Sequence, residues 1–328
     1  RNSAIGEVNE KWGQAQTITG PILSVPFKKY IAQQKGEPRV EFDDVYFLPE
    51  SLSIATTAAP EIRSRGIYEI VLYSANLTMS GEFALSTLNT LNIKPENIVW
   101  EEARLLIGMS DLKGIRENIE VKWNGKTHSA EPGVSGNDVV SSGISIKPLM
   151  IAEKTEYEFS TNITFNGSGD LQFVPVGKKT AVRVSSSWRS PSFVGRFLPD
   201  KRTITDNGFD AEWKVLHLNR NFPQQWVGGN ALRESPHSTK ISENLTNFAF
   251  GVKLLQPVDE YQKTTRSAKY AIMFISLTFL TFFLTEVLNK KIVHPIQFAL
   301  IGFALVLFYC LLLSLSEHMT FNSGYWIS

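Results

Sequence analysis

The stretch Tyr270–Leu288, YAIMFISLTFLTFFLTEVL, decides the class of this protein, because it holds a single ionisable residue, Glu286, close to its end. A second stretch, Ile296–Ser316 (IQFALIGFALVLFYCLLLSLS), holds none. Each runs roughly 20 residues, the length at which a helix crosses a hydrocarbon core of about 30 Å. A buried core helix of a soluble protein carries a polar face and seldom stays apolar this long, so both stretches read as spanning helices. Between them lies Asn289–Pro295 (NKKIVHP), short enough to force an antiparallel hairpin. Lys290, Lys291 and His294 sit in this connection, while Arg266 and Lys269 flank the other end. The basic residues therefore leave the orientation nearly tied.

Working outward, the sequence before the hairpin has a different texture. Up to about Gln256 it alternates short β-branched and aromatic runs with Gly, Pro, Asn and Asp. Strands are expected at Pro21–Ile31, Val40–Leu48, Ile67–Thr78, Val99–Ile107, Ile119–Trp123, Glu156–Phe165, Leu171–Val176, Thr180–Ser187, Gly208–Leu216 and Phe248–Leu255. In Glu156–Phe165, polar Glu156, Glu158, Ser160, Asn162 and Thr164 interleave with Tyr157, Phe159, Thr161, Ile163 and Phe165, one face for water and one for a core. Asn166–Asp170 (NGSGD) reads as a tight hairpin turn after it. The expected architecture is mainly β: an antiparallel, sandwich-like domain followed by a transmembrane α-helical hairpin. Residues 1–16 read as a short helical lead-in after a missing anchor and 17–265 as the β-rich domain, either one body or two lobes divided near 132–143. Residues 266–328 read as the membrane region, with helices at about 270–288 and 296–316. Apolar aromatic character rises again at Gly324–Ser328 (GYWIS), where a third helix is expected to begin. Gly229–Ser242 reads as a long polar loop.

Charge is nearly balanced, 33 Lys and Arg against 32 Asp and Glu, with no basic run, so nucleic acid is an unexpected partner. The one cysteine, Cys310, lies inside the second apolar stretch, which excludes a disulfide framework in the β domain. Catalytic signatures fail one by one. Gly133-Val134-Ser135-Gly136 lacks the nucleophile-elbow spacing, and Gly167-Ser168-Gly169 is not followed by a closing glycine and helix. His128, His217 and His237 are far apart, with no pair spaced to grip a metal. Glu101-Glu102 and Asp43-Asp44 are adjacent on expected strands and point to opposite faces, so neither doublet makes an acid–base pair. No cofactor, metal or catalytic residue is expected.

The membrane region carries the candidate functional residues. Thr278, Thr281, Thr285 and Asn289 recur at three- and four-residue steps, one polar stripe suited to helix packing or to the wall of a solute path. Ionisable groups at the membrane ends are Glu286, His294, Glu317 and His318; the antiparallel geometry separates Glu286 and His294 from Glu317 and His318 by about 30 Å. Tyr261, Arg266, Lys269 and Tyr270 form a polar joint where the chain enters the bilayer, an interfacial anchor or a coupling hinge.

A series of short pieces stands in this order along the chain: Trp12-Gly13, Gly20-Pro21-Ile22-Leu23, Val25-Pro26, Leu48-Pro49-Glu50, Arg65-Gly66-Ile67-Tyr68, Ser110-Asp111, Lys113-Gly114-Ile115, Glu131-Pro132-Gly133, Asn166-Gly167-Ser168-Gly169, Ser187-Trp188, Pro191-Ser192-Phe193, Phe197-Leu198-Pro199, Tyr261-Gln262, Lys269-Tyr270, Leu277-Thr278-Phe279, His294-Pro295 and Leu315-Ser316-Glu317-His318. With these pieces the chain resembles the CreD family of bacterial inner-membrane proteins nearly end to end. The resemblance implies an N-terminal anchor, a large periplasmic domain, several C-terminal helices, and a role in envelope stress and colicin tolerance, with no assigned reaction. It also implies that the β domain lies outside the cytoplasmic membrane and the Lys290-Lys291 loop inside. The expected function is non-enzymatic: the periplasmic domain binds or senses an envelope protein, lipid or cell-wall ligand, and the helices contact the lipid bilayer. A transporter or proton-coupled component using the Thr stripe and Glu286 is the alternative, and a periplasmic hydrolase the third.

Overall fold

The computed structural model describes residues 12–31, 39–65, 68–85, 93–134, 139–148, 150, 154–228, 241–255, 260–290, 294–315 and 321–328. In chain order the strands are β1 (Gln16–Ile31), β2 (Arg39–Phe47), β3 (Ser51–Arg65), β4 (Tyr68–Ala84), β5 (Arg104–Met109), β6 (Glu120–Trp123), β7 (Lys126–Ser129), β8 (Glu131–Pro132) and β9 (Gly143–Ile146). They continue as β10 (Glu156–Ser168), β11 (Asp170–Phe173), β12 (Lys179–Ser186), β13 (Pro191–Gly195), β14 (Lys201–Thr205), β15 (Gly208–Leu216), β16 (Gln225–Val227) and β17 (Phe250–Leu254). The helices are α1 (Ile241–Thr246), α2 (Glu260–Asn289), α3 (Pro295–Leu315) and α4 (Phe321–Ile327). Two units result: Asn2–Arg63 with Ile70–Leu255, and Arg1, Ser64–Glu69 with Gln256–Ser328.

The first unit is a sandwich of two sheets. One runs β13-β17-β11-β1-β5-β9-β8, with β2 pairing β1 and β16 pairing β2; the other runs β14-β15-β12-β3-β4-β10-β6-β7. Their inner faces share one apolar core. Almost every pairing is antiparallel; β1 with β11 and β12 with β3 are parallel. Core aromatics gather in two groups. Phe83, Trp123, Tyr157 and Phe159 meet at centroid distances of 5.1–5.8 Å, while Phe193, Phe250 and Trp213 meet at 5.6–5.8 Å.

The alternation read in Glu156–Phe165 is present, with Tyr157, Phe159, Thr161, Ile163 and Phe165 buried. The expected hairpin after it is not. β10 continues through Ser168, and the turn sits at Gly169, whose φ of 66° is left-handed. That turn carries the chain from one sheet into the other, because β10 pairs with β4 and β6 whereas β11 pairs with β1 and β17. Turn-forming residues specify a reversal of conformation, and the sheet that receives the next strand is set by packing. The segment 132–143 is likewise not a divide between lobes. β8 and β9 at its ends pair with each other, Pro132 opposite Ile144.

One further correction concerns the acidic doublets. Glu101 and Glu102 lie in a single 3₁₀ turn (Trp100–Glu102), not on a strand, and Glu102 pairs with Lys147 at 2.8 Å. Asp43 and Asp44 are on β2 as expected. Asp44 accepts a hydrogen bond from the Ser24 hydroxyl at 3.1 Å, and burial, with Asp43 beside it, pushes its carboxyl above the ordinary aspartate range against the opposing pull of Ser24 and Arg104. A carboxyl whose folded pKa is raised favours the fold while protonated and loses that contribution as pH rises through the folded value. Asp44→Asn keeps the Oδ1 acceptor without the charge. Thermal melts should show it more stable than the parent at neutral pH, with the gap closing below about pH 4.

In the second unit, α2 starts at Glu260 rather than near Tyr270, so the polar segment leading into the bilayer is helical and continuous with the spanning part. At 30 residues it is about 45 Å long. Phe298 of α3 stacks on Phe279 at 6.2 Å and meets Phe282 edge-on at 6.1 Å. A side chain at Gly302 would come within 3.0 Å of the Phe279 ring, so glycine there lets the helices close. The outward residues Ile272, Phe303 and Leu300 are 73%, 66% and 63% exposed, as a lipid-facing surface requires. α4, at the expected start of a third helix, touches α3 through Tyr325 and Phe308 at 5.7 Å. The lead-in expected over residues 1–16 and the loop over Gly229–Ser242 fall mostly outside the described residues.

Candidate functional site

Each residue singled out in the membrane region has a definite place. The Thr278, Thr281 and Thr285 hydroxyls donate to the carbonyls of Phe274, Leu277 and Thr281 at 2.8–2.9 Å, and the Asn289 amide donates to the Thr285 carbonyl at 3.0 Å. These donors are satisfied by the helix's own backbone. Glu286 is half-buried near the end of α2. His294 Nδ1 accepts from the Ile296 N–H at 3.3 Å, so this residue caps α3 ahead of Pro295. Tyr261 is helical in α2, and Arg266, Lys269 and Tyr270 are exposed along it. Glu317 and His318 lie outside the described residues. Nothing here converges on one centre, and among the described residues no group of three or more His, Cys, Asp or Glu is placed to hold a metal.

The sandwich offers a better-formed site. Two adjoining depressions of about 410 and 420 Å³ lie on the outer face of the second sheet and share Ser51, Ser80 and Gly81. The strand register explains their floor. Lys214 stands opposite Ala181, Ala181 opposite Ser53, Ser80 opposite Ser160, and Ser160 opposite Lys122. Ser53 and Ser80 line the same depression on neighbouring strands, so short side chains lie on β12, β3, β4 and β10, with a lysine on the strand at each end. Six strands at a spacing near 4.8 Å make this trough about 24 Å long. A second row sets Lys179 opposite Ser51 and Glu82 opposite Glu158. Gly81 sits where these strands come closest, since a Cβ there would fall 2.0 Å from the Ser51 carbonyl oxygen and 2.9 Å from the Phe159 ring beneath the floor.

Position along the strands is fixed by the same register. Leu254 ends β17 by donating its N–H to the Gly169 carbonyl at 2.9 Å, and Gly169 donates to Val71 at 3.1 Å. Ser160, in the trough, lies eight residues up β10 from Ser168, about 27 Å at 3.4 Å per residue. The trough and the point where the chain leaves the last strand are therefore at opposite ends of the sandwich. None of the trough residues was singled out as a site in the sequence. The available signal was the run Ser51-Leu52-Ser53-Ile54-Ala55, whose outward positions are all small.

A β sandwich joined in sequence to two apolar helices, each long enough to span a bilayer, is the layout of a membrane-anchored protein. The profile of the family described as inner membrane protein CreD matches residues 1–328. Over 333 aligned positions the chain is 33% identical to inner membrane protein CreD of Escherichia coli, covering all of this chain and 70% of that protein. The chain belongs to the CreD family. It is an inner-membrane protein, and the large β domain outside the helices fits a periplasmic domain. Among solved structures, an M1 zinc metallopeptidase from Deinococcus radiodurans aligns at 10% identity and a TM-score of 0.24, over 51% of this chain and 38% of the enzyme. A mutant of that enzyme with a bound peptide gives 11% and 0.23, over 51% and 39%. Likeness at this level carries no argument about fold or chemistry.

Proposed function

We propose that this protein is a non-enzymatic receptor of the bacterial envelope, whose periplasmic sandwich holds a polar cell-wall component in the trough while the helices anchor it and relay occupancy. The observation that carries this reading is the row of small residues between unpaired lysines. Lys122, Lys179 and Lys214 have no ion-pair partner among the described residues, although salt bridges such as Lys178 with Glu50 at 2.6 Å form close by. A role in envelope stress and colicin tolerance, implied by the family resemblance, follows from such a receptor if occupancy reports the state of the wall. The transport alternative draws no support from the Thr stripe, whose donors are spent on the helix backbone.

The test is co-sedimentation of the whole chain in detergent with purified sacculi. The parent should pellet with them. Ala181→Trp, which fills the exposed floor without touching the core, should stay in the supernatant at an unchanged melting temperature. A parent that never pellets, or an Ala181→Trp variant that pellets equally well, overturns the reading.

A further inference from the structure

The trough is unevenly charged, and this bears on the ligand. At the β12–β15 side, Lys179 and Lys214 line a depression that contains no carboxylate. At the β4–β10 side, Glu82 faces Glu158 directly across the pairing, with Lys122 beyond. Like charges opposite each other on a sheet are unfavourable, and a bound cation offsets that repulsion. The cationic and acidic stations lie two to four strand spacings apart, roughly 10–19 Å.

We infer, resting on the reading that the trough binds a cell-wall component, that its occupant is a zwitterionic peptide lying extended across the strands. A carboxylate meets Lys179 and Lys214, an ammonium meets Glu82 and Glu158, and the serine hydroxyls serve the backbone amides between. The chemical class is the stem peptide of the wall, which carries both charges on one short chain. Three features favour it over other envelope chemistry. A bare glycan is bound best over exposed aromatic faces, and Phe159, the aromatic ring lining the trough, is 3% exposed. A polyanion would meet the acidic pair unfavourably. A lipid needs an enclosed apolar slot for its chains, whereas the outward positions of this open face are Ser51, Ser53, Ser80, Ser160 and Ala181, with Leu216 the large apolar side chain exposed beside them. A peptide of four to six residues spans roughly 13–20 Å when extended, which matches the distance between the stations.

Calorimetry on the whole chain in lipid nanodiscs tests this with four probes: a disaccharide tetrapeptide with a free side-chain amine, the same compound N-acetylated, the peptide-free disaccharide, and the free tetrapeptide. The two peptides with free amines should bind, and acetylation or removal of the peptide should weaken binding about tenfold or more, the scale of one charge-assisted contact. Lys179→Ala with Lys214→Ala should weaken the free-amine peptides by a similar factor. Glu82→Gln with Glu158→Gln should abolish the preference for the free amine over its acetylated form, at a melting temperature no lower than the parent's, since the like-charge repulsion is relieved. Equal binding of free and acetylated amine by the parent overturns the inference, as does a preference that survives in the double glutamine variant. If sacculi pellet the chain while these probes do not discriminate, the peptide assignment falls and the trough stands. If sacculi do not pellet it, the trough reading itself falls.

Discussion

Replacing Trp213 by alanine is expected to lower the stability of the sandwich by about 4–5 kcal/mol, the upper part of the range for losing a buried tryptophan. Trp213 is 1% exposed and stands on β15, at the place where the two sheets meet. Its ring lies 5.8 Å from that of Phe193 and 5.6 Å from that of Phe250, so the cavity would be walled by rings too rigid to collapse into it. The indole N–H also donates to the Phe197 carbonyl at 3.2 Å, and that acceptor would lose its partner. A domain of this kind has about 5–15 kcal/mol in hand, so the variant should be half unfolded at markedly lower denaturant than the parent. Trp213→Phe refills most of the volume without restoring the hydrogen bond. It should cost about 1–2 kcal/mol, separating cavity from bond in a denaturation series followed by near-ultraviolet circular dichroism.

The second large effect is expected at Arg220. Its guanidinium donates to the carbonyls of Phe222 at 2.6 Å and Val176 at 2.9 Å and to the Gln224 side chain, and lies 4.0 Å over the Phe222 ring. Gln224 in turn donates to the Pro49 carbonyl at 3.1 Å. Among the described residues no carboxylate pairs with Arg220, and burial pulls its pKa down to about 10. The charge is thus a clasp of neutral oxygens holding Pro49 and Val176, close in sequence to Ser51 and Lys179 of the trough. Arg220→Ala strips donors from two buried carbonyls and from the half-buried Gln224 side chain and should cost about 2–3 kcal/mol even after the desolvation of the cation is relieved. Arg220→Lys should recover little, because an ammonium cannot present a planar fork to several carbonyls at once. Both variants should also weaken retention on sacculi, which a denaturant melt combined with the pelleting assay would read. Unchanged melting in Arg220→Ala would contradict this account.

The sequence disclosed the architecture where its periodicity was strong. The two spanning helices, the strand at Gly208–Leu216 and the alternation of Glu156–Phe165 were legible because a single face or a continuous apolar run dominates each. It did not disclose β3, Ser51–Arg65, since Ala55, Ala58 and Ala59 have weak strand propensity and Pro60 argues against a central strand. The structure resolves the conflict. β3 pairs with β12 only as far as Ala58 opposite Ser186, so Pro60 lies beyond that ladder and its missing N–H breaks no bond to β12. The same small residues that hid the strand make the trough. A site built from the absence of side chains leaves no motif, and its lysines and glutamates become a constellation only once the register of six strands is known. Arg220 was hidden for a similar reason, as its partners are backbone carbonyls that any residue supplies.

One consequence follows from β10. This strand of 13 residues runs from Glu158 and Ser160 in the trough through Ser168 to Gly169, the residue that receives the last hydrogen bond of β17. Extended backbone is close to its maximum length, so it cannot stretch, and pairing on both edges along Phe159–Thr161 keeps it from buckling there. Mechanically it is a tie rod: a load applied where a ligand sits is delivered, undiminished by slack, to the turn at Gly169. If the trough holds the wall as proposed, its occupancy would reach that turn together with the tension in the occupant.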